Sequence, residues 1–196
     1  MSTCRRPQGY TVMEVLVTSC ILLLLVAGIH RIVTFGLRYY QVARAQEVAH
    51  HEALVATRWV SNELVQSNLP SVVIGPTHVA FPSATPETTP STWTYRDGSL
   101  LWHKWVAFYY DPDTGELVRA VVNFPGGAVD SPQPPPNLDV FQNSPDASRV
   151  VARGVTDFQT TPMPNDLIQV SVTAQVPTAS DRFTKIKLTH KVQPGN

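Results

Sequence analysis

From Tyr10 to Ile29 the chain is apolar at nearly every position, YTVMEVLVTSCILLLLVAGI, and Glu14 is its one charged side chain. A helix of that length rises about 30 Å, the thickness of a bilayer's hydrocarbon core. A helix that covers a soluble core keeps a polar face, and Val15 to Ile29 has almost none. The segment is therefore expected to enter a membrane. From Ile32 the pattern turns amphipathic. Val42, Ala45, Ala49, Ala53, Ala56, Val60 and Leu64 recur at helical spacings, with Arg44, Glu47, His51, Glu52, Arg58 and Glu63 mostly between them. Gly36 is tolerated there at about 1 kcal/mol. No proline falls between Gln8 and Leu69, and Ser67-Asn68-Leu69-Pro70 is a stop signal. One helix from Tyr10 to about Asn68, roughly 88 Å long, is expected.

Beyond Pro70 the period shortens to that of strands. Thr92 to Arg96 and Ser99 to Trp102 flank Asp97-Gly98, a tight-turn dipeptide. Lys104 to Tyr110 and Glu116 to Phe124 flank Asp111-Pro112-Asp113-Thr114-Gly115, where proline presets one dihedral and glycine supplies a positive φ. Pro125 to Ser148 holds two glycines and six prolines and reads as a long irregular loop, with Pro132 to Pro136 as a stiff spacer. Val150 to Phe158 re-enters the fold. Asp166 to Val176 and Phe183 to Val192 form a final strand pair, alternating at Ile168, Val170, Val172 and at Ile186, Leu188. The fold class expected is α+β, a long N-terminal helix packed on an antiparallel β-sheet domain.

Composition narrows the function. Of 17 prolines, 16 lie at or after Pro70, which divides a helical part from a β part. Charged residues are 15% of the chain and hydrophobic ones 43%, which excludes wholesale disorder. Fifteen basic and fifteen acidic residues cancel, so the footprint of a dedicated nucleic-acid binder is missing. The two cysteines, Cys4 and Cys20, both precede the β part and cannot scaffold it.

The start of the apolar segment allows three readings. A secretory signal peptide could be cut near Val26 and Gly28, although no polar run-up precedes that site and the hydrophobic stretch begins with an acid. A permanent anchor would give Glu14 no special role. The twin-arginine reading of Arg5-Arg6 lacks the rest of its motif. The third reading rests on Arg5, Arg6 and the run Gly9-Tyr10-Thr11-Val12-Met13-Glu14. This resembles the type IV prepilin signature of a short basic leader, a glycine, an N-methylated aromatic residue, and glutamate as the fifth mature residue of an apolar helix. Tyr10 stands where that family usually has phenylalanine, and Pro7-Gln8 separates the arginines from the glycine. A carboxylate within a membrane helix costs about 2.5–3.5 kcal/mol or more, so it is seldom incidental. In the first turn the positive helix end offsets part of that cost.

The later runs VAFYYDPDTGELVRAV, VARGVTDFQ, IQVSVTAQV and KIKLTHKVQPGN resemble, more loosely, the PilW-type minor pilins and the J-type minor pseudopilins of type II secretion. The resemblance implies a leader at 1–9, a transmembrane and filament-core helix at 10–31, an amphipathic continuation at 32–69 and a β-rich globular domain at 70–196. It implies cleavage between Gly9 and Tyr10, N-methylation of Tyr10 and an assembly role for Glu14. The protein would be a filament subunit rather than an enzyme, with no cofactor. It would help initiate or cap a type IV pilus or a secretion pseudopilus. Its partners would be a prepilin peptidase, other pilins or pseudopilins, an inner-membrane assembly platform and, before assembly, lipid. A direct nucleic-acid ligand is not expected. The protein would cross the inner membrane once, with its C-terminal domain on the periplasmic or outer side, before joining the filament. The alternative is a membrane-anchored or secreted β-rich binding module with no filament role.

Other candidate chemistry is thin. Glu47, His50, His51 and Glu52 cluster on the helix but do not form H-E-x-x-H, and a solvated polar face accounts for them. Asp111, Asp113 and Glu116 lack the spacing of a calcium loop, and a hairpin turn explains them. Trp93, Trp102, Trp105, Tyr109 and Tyr110 would stack bases or sugars only if they shared a surface; strand aromatics more often fill cores. No nucleophile motif is present. Metal and catalytic residues are therefore not assigned.

Overall fold

The long helix, α1, spans Val12–Val65 in a computed structural model that describes residues 10–86, 93–143, 145–178 and 182–195. The chain divides into two compact units, Met1–Ala43 and Arg44–Asn196. In the first unit nearly every large apolar side chain from Val12 to Tyr40 is exposed. The helix is long and apolar enough to cross a membrane, and none of its apolar stretch is buried inside the protein. Its hydroxyls are satisfied internally: Thr18 Oγ1 donates to the Glu14 carbonyl at 2.8 Å, Ser19 Oγ to Val15 at 2.8 Å and Thr34 Oγ1 to His30 at 2.7 Å. Such back-bonding is what an apolar solvent demands of a polar side chain.

The second unit is α+β with antiparallel sheets. Its strands are β1 (Val73–Ile74), β2 (His78–Ser83), β3 (Tyr95–Arg96), β4 (Ser99–Leu100), β5 (Lys104–Asp111), β6 (Glu116–Asn123), β7 (Ala147–Arg153), β8 (Val155–Met163), β9 (Leu167–Pro177) and β10 (Phe183–Val192). A short helix, α2 (Leu138–Asn143), precedes β7. One sheet has the order β1-β2-β5-β6-β7, a second β10-β9-β8, and β3 pairs with β4 in a two-stranded sheet. The main core joins Ala56, Val60 and Leu64 of α1 to Phe81, Phe108, Val121 and Phe158 of the sheets. Six of the seven stripe positions, from Ala45 to Leu64, are buried, and Val42 is exposed. Alanines dominate the stripe, so the helix backbone can approach the sheet closely.

The helix stops earlier than the sequence predicts, at Val65 rather than about Asn68. Ser67 Oγ donates to the Leu64 carbonyl at 2.6 Å, closing the last turn, and Leu69–Ser71 forms a 3-10 turn. The expected loop from Pro125 to Ser148 contains α2 and the start of β7. Ala80, Ala107 and Ala120 lie in one register row across β2, β5 and β6. Together they leave a shallow floor on the sheet face opposite α1, and Phe141 of α2 packs there fully buried. The run Val150 to Phe158, expected as one element, is two strands in different sheets. Gly154, at φ +65, ends β7 in the first sheet and starts β8 in the second. The Asp97-Gly98 turn forms as expected, with φ of +51 and +81. Its returning strand is shorter, ending at Leu100, and Trp102 instead bridges to Val129. Thr92, at the head of the first of these strands, lies outside the described residues.

Burial lowers the pKa of two histidines of this unit, His78 and His103, and His78 is expected to add sensitivity to acid. The His78 ring lies where a side chain on Gly75 would stand, and its buried Nδ1 has no hydrogen-bond partner. Desolvation pushes its pKa below the ordinary 6.5. As pH falls, the unfolded chain binds the proton first. The contribution of neutral His78 is therefore complete above about 6.5, declines as pH drops below that value, and levels off past the folded pKa. Thermal melts should show lower stability at pH 5.5 than at 7.5, and H78F should narrow the difference. An unchanged pH dependence in H78F would assign the effect to other groups.

Candidate functional site

The strongest sequence-predicted site lies at the start of α1. Gly9 falls outside the described residues. Tyr10 precedes the helix and is 81% exposed. Thr11 caps it: the Glu14 N–H donates to the Thr11 carbonyl at 3.0 Å and to Thr11 Oγ1 at 3.3 Å, while the Val15 N–H donates to the Thr11 carbonyl at 3.2 Å. Thr11-Val12-Met13-Glu14 has the T-x-x-E spacing of a capping box, of which the Thr11 half, its Oγ1 accepting from the Glu14 N–H, is formed. Thr11 is the residue sequence reasoning missed here, although the spacing was there to find. The cap sets the first helical turn immediately after Tyr10 and places the Glu14 carboxyl in that turn, at the positive end of the helix dipole. Among the described residues Glu14 is exposed, as are Tyr10, Val12 and Met13 around it.

Of the other candidates, Asp111, Glu116 and Glu52 have structural partners, while Glu47, His50 and His51 are exposed on α1. Asp111 makes the turn expected of it: the Asp113 N–H donates to Oδ1 at 3.0 Å and Thr114 Oγ1 to Oδ2 at 2.8 Å. The Thr114 hydroxyl first, then the Asp113 N–H, hold its carboxyl below the ordinary carboxylate range. Glu116 accepts from Arg153 Nε at 3.0 Å. Glu52 accepts from the Arg153 N–H at 2.8 Å, which ties the polar face of α1 to the end of β7. Among the described residues no three His, Cys, Asp or Glu side chains come together as a metal set. The aromatic residues are split between packing clusters rather than gathered on one surface: Trp105 adjoins Trp102 in one cluster and Tyr109 in another, and Trp93 is exposed. Trp102 is buried with Ala84 and Phe124, Trp105 donates Nε1 to the Gln133 carbonyl at 3.0 Å, Tyr110 packs on the main core, and Tyr109 packs with the alanine face behind it.

A cleft of about 360 Å³ within the second unit was not foreseen. Arg58, Trp59 and Glu63 of α1 line it together with Thr85, Lys104 of β5 and Arg119 of β6. Arg119 Nε donates to Glu63 Oε1 at 2.6 Å, with the two side chains 9% and 17% exposed. Lys104 is 1% exposed. The Arg149 guanidinium lies 4.6 Å from the centre of the Trp59 ring, a cation–π contact. The Glu63–Arg119 pair joins residues 56 positions apart, so no local pattern could have announced it.

Compared with family models, with curated proteins and with solved structures, the chain matches none of them.

Proposed function

We propose that this chain is a minor pilin or pseudopilin, a membrane-stored subunit that helps initiate or cap a helical filament. The observation that carries the reading is the first turn of α1. A carboxylate stands at the head of an otherwise apolar, uncovered helix, five residues after Gly9, with the helix capped right behind Tyr10. At a helix centre a lone acid costs about 2.5–3.5 kcal/mol in lipid, and the positive helix end offsets only part of the cost in the first turn. Cleavage after Gly9 would create its partner, the α-amine of Tyr10. The α+β layout, with a long N-terminal helix and an antiparallel sheet on its second half, is compatible with a pilin-like architecture. On this reading a prepilin peptidase removes residues 1–9, Tyr10 is N-methylated, and an inner-membrane platform feeds the subunit to other pilins. The protein then acts by assembly rather than by catalysis, and its C-terminal domain faces the periplasmic or outer side.

Processing is the direct test. Mass spectrometry of protein taken from membranes should show loss of Met1 to Gly9, which carries Arg5 and Arg6, and one added methyl group on Tyr10. A mature chain beginning at Ile29, or one still carrying its leader, would overturn the proposal in favour of a secreted or anchored module.

A further inference from the structure

Just past its apolar run, and still within the first unit, α1 sorts its side chains by side. At about 100° per residue, His30, Arg31, Thr34, Arg38 and Gln41 fall within roughly 100° of the helix circumference. Ile32, Val33, Phe35, Leu37, Tyr39 and Tyr40 occupy the remainder, and each is more than half exposed. Arg31 and Arg38 lie about two turns apart on one line and are exposed too. Glu14 is the only acid among residues 10–43, so the basic side has no counter-charge nearby on its own helix.

The two sides leave the apolar run at different heights. One turns polar at His30, while the other stays apolar to Tyr40, about 15 Å farther along the axis. An upright helix would leave the bilayer at one level all round, and a headgroup layer is only about 5–7 Å deep. Upright placement would therefore hold Arg31 in hydrocarbon or leave Phe35, Leu37 and Tyr40 in water. A leaning helix avoids both, and leaning is how an apolar stretch longer than the hydrocarbon core is accommodated. Lipid is the cover at hand, because the same unbroken helix carries the candidate membrane span. Tyrosine, which closes the apolar side, is a residue type that settles at the membrane–water interface. Arginine lays its stem along acyl chains while its guanidinium reaches a phosphate.

We propose that α1 leaves the membrane leaning, with Arg31 and Arg38 bound to phosphates of anionic phospholipid and Val33 and Tyr40, on the other side, embedded at the acyl boundary. The proposal rests on the membrane span and not on the filament. The test uses the full chain, its cysteines removed by C4S and C20S, in phosphatidylcholine vesicles containing phosphatidylglycerol. A spin label is placed at T34C, in the middle of the polar side, or at G36C, in the middle of the apolar side, where no atom lies within 4 Å of the missing Cβ. Collisions with a water-soluble nickel chelate and with oxygen, which concentrates among acyl chains, report depth. The label at T34C should meet nickel more and that at G36C oxygen more, although Gly36 lies two residues farther from the apolar run. Spin-labelled phosphatidylglycerol and phosphatidylcholine then give the chain's lipid selectivity. R31Q/R38Q should lose about fivefold or more of the preference for phosphatidylglycerol. Lys185 and Lys187 are exposed on β10 in the second unit, and K185Q/K187Q makes the same change in net charge. That variant should lose less than about twofold. Nickel contact at G36C equal to or above that at T34C would overturn the lean. Shielding of G36C from both reagents would overturn lipid as the cover and leave protein. Equal losses in the two double variants would overturn the phosphate contact. A chain that fails to float with the vesicles would overturn the span itself, whereas a chain never found in filaments would leave the proposal standing.

Discussion

On the proposed filament reading, replacing Glu14 by alanine should leave the chain in the membrane and take it out of filaments. Insertion should improve, because the variant no longer places a carboxylate in lipid, a cost that the positive helix end offsets only in part. The helix start should hold: the Thr11 cap bonds the backbone N–H of residue 14, not its side chain. Cleavage after Gly9 should largely persist, since the peptidase reads the glycine side. Assembly is where the loss falls. In the proposed head-to-tail, non-closing filament, neighbouring helix starts would lie close, and the Tyr10 amine of one subunit would meet the Glu14 carboxylate of another. Within an apolar bundle, removing one partner leaves the other charged and buried, at about 3–5 kcal/mol. That is on the order of a hundredfold or more in the assembly equilibrium. E14V should behave like E14A, and E14Q, which keeps the shape without the charge, should be intermediate or equally defective. Co-purification with sheared filaments, or crosslinking to other pilins, provides the measurement. An E14A chain that assembles like the parent would remove the electrostatic docking role and strengthen the case for an anchored module.

The largest effect on stability is expected at Gly154. Its φ of +65 lies in the left-handed region, and a Cβ there would come within 2.7 Å of the Gln175 carbonyl oxygen. The approach is fixed from both sides, because the Gln175 N–H donates to the Gly154 carbonyl at 2.7 Å and the Val155 N–H donates to that of Gly115 at 2.9 Å. G154A must therefore accept left-handed strain of about 1–2 kcal/mol. It must also push apart the crossing between the two sheets, for a total of about 2–4 kcal/mol. At about 2–4 °C per kcal/mol for a domain of this size, Tm should fall by roughly 5–15 °C. Gly127 separates the two causes. Its φ is +95 with open space around the missing side chain, so G127A should show only the backbone strain, about 1 kcal/mol. Equal losses at the two glycines would mean that the close approach to Gln175 contributes nothing.

The helix, its apolar head and its buried stripe were legible because each depends on neighbours three or four positions away. Ala45, Ala49, Ala53, Ala56, Val60 and Leu64 are buried as their spacing requires. The β5–β6 hairpin and the β9–β10 pair were legible for the same reason, since Asp111 to Gly115 carries its own turn chemistry and Phe183–Val192 its own alternation. Glu14 stood out by its cost in an apolar run. Thr11 was equally local and was overlooked, because its role as a cap lies in the three-residue step to Glu14 rather than in its own polarity.

Long-range pairing decided the rest. β2 was not read from the sequence; among the described residues β1 pairs with Val79 and Ala80 alone, so Pro82 lies where β2 is an edge strand and a proline is tolerated. Three alanines scattered over Ala80, Ala107 and Ala120 become a floor for Phe141 only once the register of β2, β5 and β6 aligns them. The cation-lined cleft has the same origin, since Arg58, Lys104 and Arg119 come from three separate elements. By itself the sequence determined a capped apolar helix with an acid in its first turn, an amphipathic continuation and a set of hairpins, because dihedral preference and side-chain periodicity act over a few residues. Only the tertiary structure decided which strands share a sheet, where Gly154 carries the chain from one sheet to the other, and which charges meet, because register and burial depend on residues tens of positions apart.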